Sequence, residues 1–103
     1  MSDPGEGWWT DEEGYPQYLE AERHLFAWCL MRIGGFSEEA ARYEALERYP
    51  YQPPEALYRG IIFHDEAWDW AMIRLFGHSY RAWPAIDPAI RAEYEREAEQ
   101  WHQ

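Results

Sequence analysis

Lysine is absent from this 103-residue chain, and all nine of its basic side chains are arginine. A GC-rich coding sequence accounts for that as simply as selection for bidentate contacts does. The scarcity that matters more is of positive charge itself: twenty acids face those nine arginines, for a net charge of −11. No segment gathers arginines into a stripe, which argues against nucleic acid as a direct partner, because phosphate binding runs on clustered cations. Cysteine is scarce too. The single Cys29 has no partner in the chain for a disulfide, which points to a reducing, cytoplasmic setting. No basic opening followed by an apolar run reads as a secretory signal. No uncharged stretch approaches the ~20 residues that cross a bilayer, and the negative charge opposes an anionic membrane surface.

Signatures of catalysis and metal binding are equally thin. There is no His-x3-His pair, no Glu-x-x-His on each of two helices and no cysteine cluster, the spacings that helical metal sites show. Gly34-Gly35 matches no phosphate loop, and no nucleophile elbow is present. Cys29 lies on an apolar stripe without a basic neighbour in sequence, so a reactive thiolate is not expected. No cofactor is expected, and a binding role is favoured over an enzymatic one.

What the chain does have is aromatic surface, with seven tryptophans and eight tyrosines. A core of this size does not hide them all, and exposed Trp, Tyr and Arg dominate binding hot spots. The acidity is mostly terminal. Residues 1–22 carry seven acids and no base, residues 23–86 eight acids against seven arginines, and residues 87–103 five acids against two. Residues 1–15 therefore read as a flexible acidic tail, with Trp8 and Trp9 docking back on the domain, and residues 16–103 as a single helical domain.

Periodicity and end signals predict four helices and no strand, an all-α, irregular four-helix bundle. The first runs from Pro16 to Ile33 and ends at Gly34-Gly35, with Leu19, Phe26, Cys29, Leu30 and Ile33 inward and Glu20 paired to His24 one turn on. The second covers Glu38–Arg48 behind an N-cap at Ser37, with Ala40, Tyr43, Leu46 and Ala45 inward and Glu44 paired to Arg48. The third, Pro53 to Gly77, reads as the central helix. Leu57, Ile61, His64, Trp68, Ala71, Met72 and Leu75 form its inner stripe, and Ile62, Phe63, Trp70 and Ile73 a second apolar face; Gly60 is its weak point. The fourth runs from Pro88 to about Trp101, with Asp87 as cap, Ile90, Tyr94, Ala98 and Trp101 inward, and Glu93, Arg96 and Glu97 on a solvated face.

Two constellations are candidates for function. Glu66, Asp69 and Trp70, with Tyr80, Arg81 and Trp83 from the loop after the third helix, resemble an epitope for a protein partner of basic charge, or for a second copy of the chain as a homodimer. The bland reading of Glu66 and Asp69 is pairing with arginines such as Arg74 or Arg59. The alternative is a small metal- or ligand-binding protein or enzyme centred on His64, expected in the buried stripe as a metal ligand or base, with His24, Asp65 and Glu20 completing the set. A core histidine held by hydrogen bonds is the bland reading there. In size and charge the chain is similar to small acidic helical proteins that neutralise basic toxins, and to phage inhibitors and nucleic-acid mimics. An inhibitory or immunity-type role is accordingly one form the interaction function takes.

Overall fold

The computed structural model describes residues 13–56, 59–79 and 86–102. Within them the chain forms α1 (Gly14–Arg32), α2 (Glu38–Arg48), a 3-10 turn (Ile61–His64), α3 (Ala67–Phe76) and α4 (Pro88–Trp101), with no strand. The expected all-α fold is what the chain adopts. None of the described helices is long and apolar enough to cross a membrane. The stretch carrying Trp8 and Trp9 lies outside the described residues, as do Leu57, Tyr80, Arg81 and Trp83.

The organising element is α1, not the Pro53–Gly77 segment: α2, α3 and α4 each pack against it. It buries nine residues, among them Leu19, Leu25, Phe26, Cys29 and Leu30. It starts earlier than Pro16, at Gly14, and the Tyr15 side chain is buried where a tail was expected. Its end follows the glycine signal. Gly35 donates its N–H to the Met31 carbonyl and Phe36 to that of Leu30, so the last turn is closed by hydrogen bonds. Gly34 serves a different need. A Cβ built there would lie 2.6 Å from Leu75 Cδ2 and 2.8 Å from the Leu30 carbonyl oxygen, so only glycine lets α3 lie this close to the connection.

The predicted central helix is broken. Gly60 sits at φ +84°, a left-handed conformation that side chains resist, and opens the 3-10 turn. Asp65 and Glu66 are then extended, at ψ 148° and 154°, before α3 begins. A 3-10 turn has about three residues per turn rather than 3.6, so the stripe counted at helical spacing loses register within it. Phe63, placed on the outer face by that count, is buried against Tyr18 at 4.8 Å and Tyr49 at 6.2 Å between ring centroids. His64, placed on the inner stripe, is exposed, as is Ile61. Beyond the break the reading holds: Ala71 and Met72 are buried, Trp68 and Leu75 half-buried, and Gly77 ends α3.

The limits of α2 are those predicted, and Ser37 Oγ accepts the Ala40 N–H at 3.1 Å as its cap. Its orientation is not. The buried residues are Ala41 and Ala45, while Ala40, Tyr43 and Leu46 face solvent. Two alanines one turn apart form a thin stripe, so the α2 backbone lies close to α1 and its larger side chains are left outside.

Helix α4 has one fully buried residue, Tyr94, whose hydroxyl accepts the Trp68 N–H at the start of α3. Asp87 caps it by accepting from Ala89, with Pro88 at the first helical position. Its predicted solvated face is tied down instead: Arg32 donates to Glu93 and His24 pairs with Glu97.

Candidate functional site

The face that α2 turns outward carries two large exposed side chains. Tyr43 is 64% exposed and Leu46 50% exposed. Where α2 ends, the chain turns through Pro50 and Tyr51 and returns at the 3-10 turn, bringing Ile61, itself 53% exposed, beside the helix. Between them lies a groove of about 540 Å³ lined by Glu47, Arg48, Pro50, Gln52, Ile61, Ile62, His64, Asp65 and Trp70.

Trp70 is held rigidly in this groove. Its indole N–H donates to the Ile62 carbonyl at 2.9 Å, and the Arg48 guanidinium lies 4.3 Å from the ring centroid. The first contact satisfies the one polar atom of the ring, and the second is a cation–π pair that positions an arginine on the surface. Arg48 therefore does not pair with Glu44 as its spacing suggested; Glu44 bonds Arg74 of α3 instead. The lining also includes the carboxylates of Glu47 and Asp65.

The residues proposed from sequence are dispersed. Trp70 and Asp65 border the groove, but Glu66 does not: its carboxylate accepts from Arg91 of α4 at 3.0 Å. Asp69 is half-buried on α3. Among the alternative set, His64 lines the groove, whereas His24 bonds Glu97 at 2.8 Å and stacks on Trp101 at 3.9 Å between centroids. Glu20 accepts from Arg42 of α2 and lies 3.9 Å from Arg23, so the expected Glu20–His24 pair gives way to partners on other helices. His24, His64, Asp65 and Glu20 are thus spread over different contacts, and no group of three or more His, Cys, Asp or Glu side chains able to hold a metal occurs among the described residues.

Two features escaped the sequence. One is the outward face of α2, whose only signal is the Ala41–Ala45 spacing. The other is Glu22, 4% exposed, which accepts from His102 just beyond α4 at 2.8 Å. A pair eighty positions apart leaves no local trace, and Glu22 looks in sequence like one more acid in an acidic stretch. Its charge is felt in the core: burial first, and then Glu22, push the phenols of Tyr18, Tyr49 and Tyr94 well up from their ordinary range. Burial likewise pushes the Cys29 thiol up, with Arg91 lowering it in part and Glu66 adding to the rise. A thiol in that state is not a nucleophile, in line with the sequence expectation.

Compared with known proteins, the chain matches no family model, no curated protein and no solved structure.

Proposed function

We propose that the protein is a binding module that docks a basic protein segment on the outer face of α2 and the adjoining Trp70 groove. The observation that carries this is the orientation of α2. It buries only alanines and leaves Tyr43 and Leu46 exposed, while its last turn, through Glu47 and Arg48, lines a groove with Trp70, Ile61 and Ile62. Large apolar side chains left outside while small ones are buried cost solubility without adding to the core, and contiguous patches of that kind mark interaction surfaces. A rigid tryptophan beside an arginine gives the patch the side chains that contribute most binding energy.

The partner's chemistry follows from charge. The whole chain carries −11, and Glu47 and Asp65 border the groove. A segment offering an aliphatic or aromatic side chain to the Trp70 groove, with flanking lysine or arginine, matches both the apolar lining and the carboxylates of Glu47 and Asp65. Inhibition of a basic protein by masking its surface is one way such docking would act.

The test is capture by the full chain compared with Leu46→Asp, Trp70→Ala and Glu47→Arg variants whose helicity is checked by circular dichroism. A basic partner held by the parent should be lost with Leu46→Asp and Trp70→Ala, and its affinity for the parent should fall as salt rises. A partner retained equally by all variants would overturn the assignment of the surface. Sedimentation across concentration covers the remaining occupant: a dimer of the parent that Leu46→Asp dissociates would put a second copy on this face.

A further inference from the structure

Helix α4 closes the fold with very little apolar surface of its own. Of the buried apolar residues described, only Tyr94 belongs to it. The rest of its hold on the domain is largely polar and close to the surface. Arg32 of α1 donates to Glu93 at 3.1 Å, and Arg91 donates to Glu66, just ahead of α3, at 3.0 Å. His24 bonds Glu97 and His102 bonds Glu22, each at 2.8 Å, while Trp101 stacks on the His24 ring and stays exposed. Exposed ion pairs contribute little each once screening and side-chain ordering are counted. Glu22 is buried beneath His102, and its return to water would offset part of the cost of opening. The connection is no obstacle either, because eleven residues, 77–87, separate the end of α3 at Phe76 from Pro88.

What α4 covers is one face of α1. Tyr18, Glu22, Leu25, Cys29 and Arg32 follow one another at steps of four, three, four and three residues, a single helical stripe. Tyr18 and Glu22 meet His102, Arg32 meets Glu93, and Leu25 lines a cleft with Tyr94 and Ala98. Cys29 lies inside this stripe, fully buried, and the Arg91 charge of α4 reaches its thiol. Trp28 and Trp68 flank the same place, 6.2 and 5.3 Å from the Tyr94 ring between centroids. We infer that α4 is a strap that opens as a unit from this face while α1, α2 and α3 stay folded, uncovering Tyr18, Leu25, Trp28 and Cys29. Once Tyr94 is out, a helix of fourteen residues is marginal by itself, so release and unravelling are one event. The device is independent of the α2 face, since no described residue of α4 lines the Trp70 groove.

The experiment is native-state hydrogen exchange of the full chain in low concentrations of urea, read residue by residue by NMR, with dithionitrobenzoate labelling of Cys29 in parallel. Amides from Ala92 to Ala98 should exchange at least about 100-fold faster than those of Leu25, Phe26 and Leu30, through one shared opening whose urea dependence is smaller than that of global unfolding. Cys29, the one thiol of the chain, should be labelled at the rate of that opening. Arg32→Glu breaks the tie to Glu93 and should speed both readouts by about five-fold, and adding Glu93→Arg should return them to within about two-fold of the parent. Ala45→Gly weakens α2, which stays folded in the open state. It should therefore speed exchange in the α1 core by about ten-fold and leave α4 exchange and Cys29 labelling unchanged. The inference is overturned if α4 amides exchange only together with the α1 core, or if Ala45→Gly speeds them equally. It is also overturned if α4 protection fades gradually toward His102 without urea dependence, or if Cys29 is labelled only at the global rate.

Discussion

The break between Gly60 and Glu66 is open to a direct test, because it exchanges the environments of two adjacent residues. In a continuous helix from Pro53 to Gly77, His64 would lie in the core stripe and Phe63 toward the second face. The 3-10 turn reverses this, leaving Phe63 4% exposed and His64 outside. Phe63 packs against three aromatic rings, Tyr18, Tyr15 and Tyr49, with centroids 4.8 to 6.3 Å away. Phe63→Ala removes that packing and leaves a cavity walled by rigid rings that collapse poorly, so the expected cost is about 3–4 kcal/mol, within the range for buried phenylalanine. His64→Ala removes a surface side chain and should cost under ~0.5 kcal/mol.

Urea unfolding monitored by far-ultraviolet circular dichroism separates the two, provided the m-value is unchanged so that a midpoint shift reports stability. For a chain of this length, ~1 kcal/mol corresponds to roughly 4–5 °C in Tm, so Phe63→Ala should melt about 12–20 °C below the parent and His64→Ala within a few degrees of it. Equal losses, or a larger loss for His64→Ala, would refute the register of the turn.

Three further outcomes follow from the packing. Gly34→Ala should destabilise by about 1–3 kcal/mol by overpacking, although alanine is the better helix former, because its Cβ would meet the Leu30 backbone as well as Leu75; a neutral or stabilising result in a denaturant titration would contradict the close approach. Tyr49→Phe should be neutral or stabilising by up to ~1 kcal/mol, since the hydroxyl is buried with no hydrogen-bond partner among the described residues, and clear destabilisation in the same assay would reveal a partner. The raised phenols of Tyr18, Tyr49 and Tyr94 predict alkaline unfolding. An unfolded phenol releases its proton near pH ~10 and the folded ones release theirs higher, so this stability is complete below ~10 and declines as pH rises beyond it; phenolate absorbance should grow together with loss of helicity, and three phenols ionising near 10 in an intact fold would count against it.

Which parts of this fold were legible follows from how far each signal reaches along the chain. Ser37, Asp87-Pro88, Gly34-Gly35 and Gly77 act on backbone groups within a few residues, and the ends they mark are where the structure has them. Side-chain pairing is not legible in this way, for the opposite reason. Glu20 with His24 and Glu44 with Arg48 are sound local pairs, worth only ~0.2–0.5 kcal/mol. Contacts between helices displace them: Glu20 with Arg42, His24 with Glu97, Glu44 with Arg74, and Arg48 over Trp70. A difference that small is settled by which helices lie adjacent, and a local spacing rule carries no information about that.

The orientation of α2 shows why large residues are an unsafe guide to the inner face. Periodicity allows either the Tyr43–Leu46 stripe or the Ala41–Ala45 stripe to be buried, and the weight of apolar area favours the first. The connection decides otherwise. Only five residues separate Arg32 from Glu38, and within them Gly34 lies where a single added carbon would strike both Leu75 and the end of α1. The connection is short, and the face that α2 packs on α1 carries the methyl groups of Ala41 and Ala45. The tyrosine and leucine are then outside as a consequence of helix spacing. Isolated exposed apolar residues are ordinary, so the proposed surface depends on the Trp70 groove that Glu47 and Arg48, in the last turn of α2, help to line. The fold and the proposed function therefore rest on the same local fact, that α2 approaches α1 on alanine.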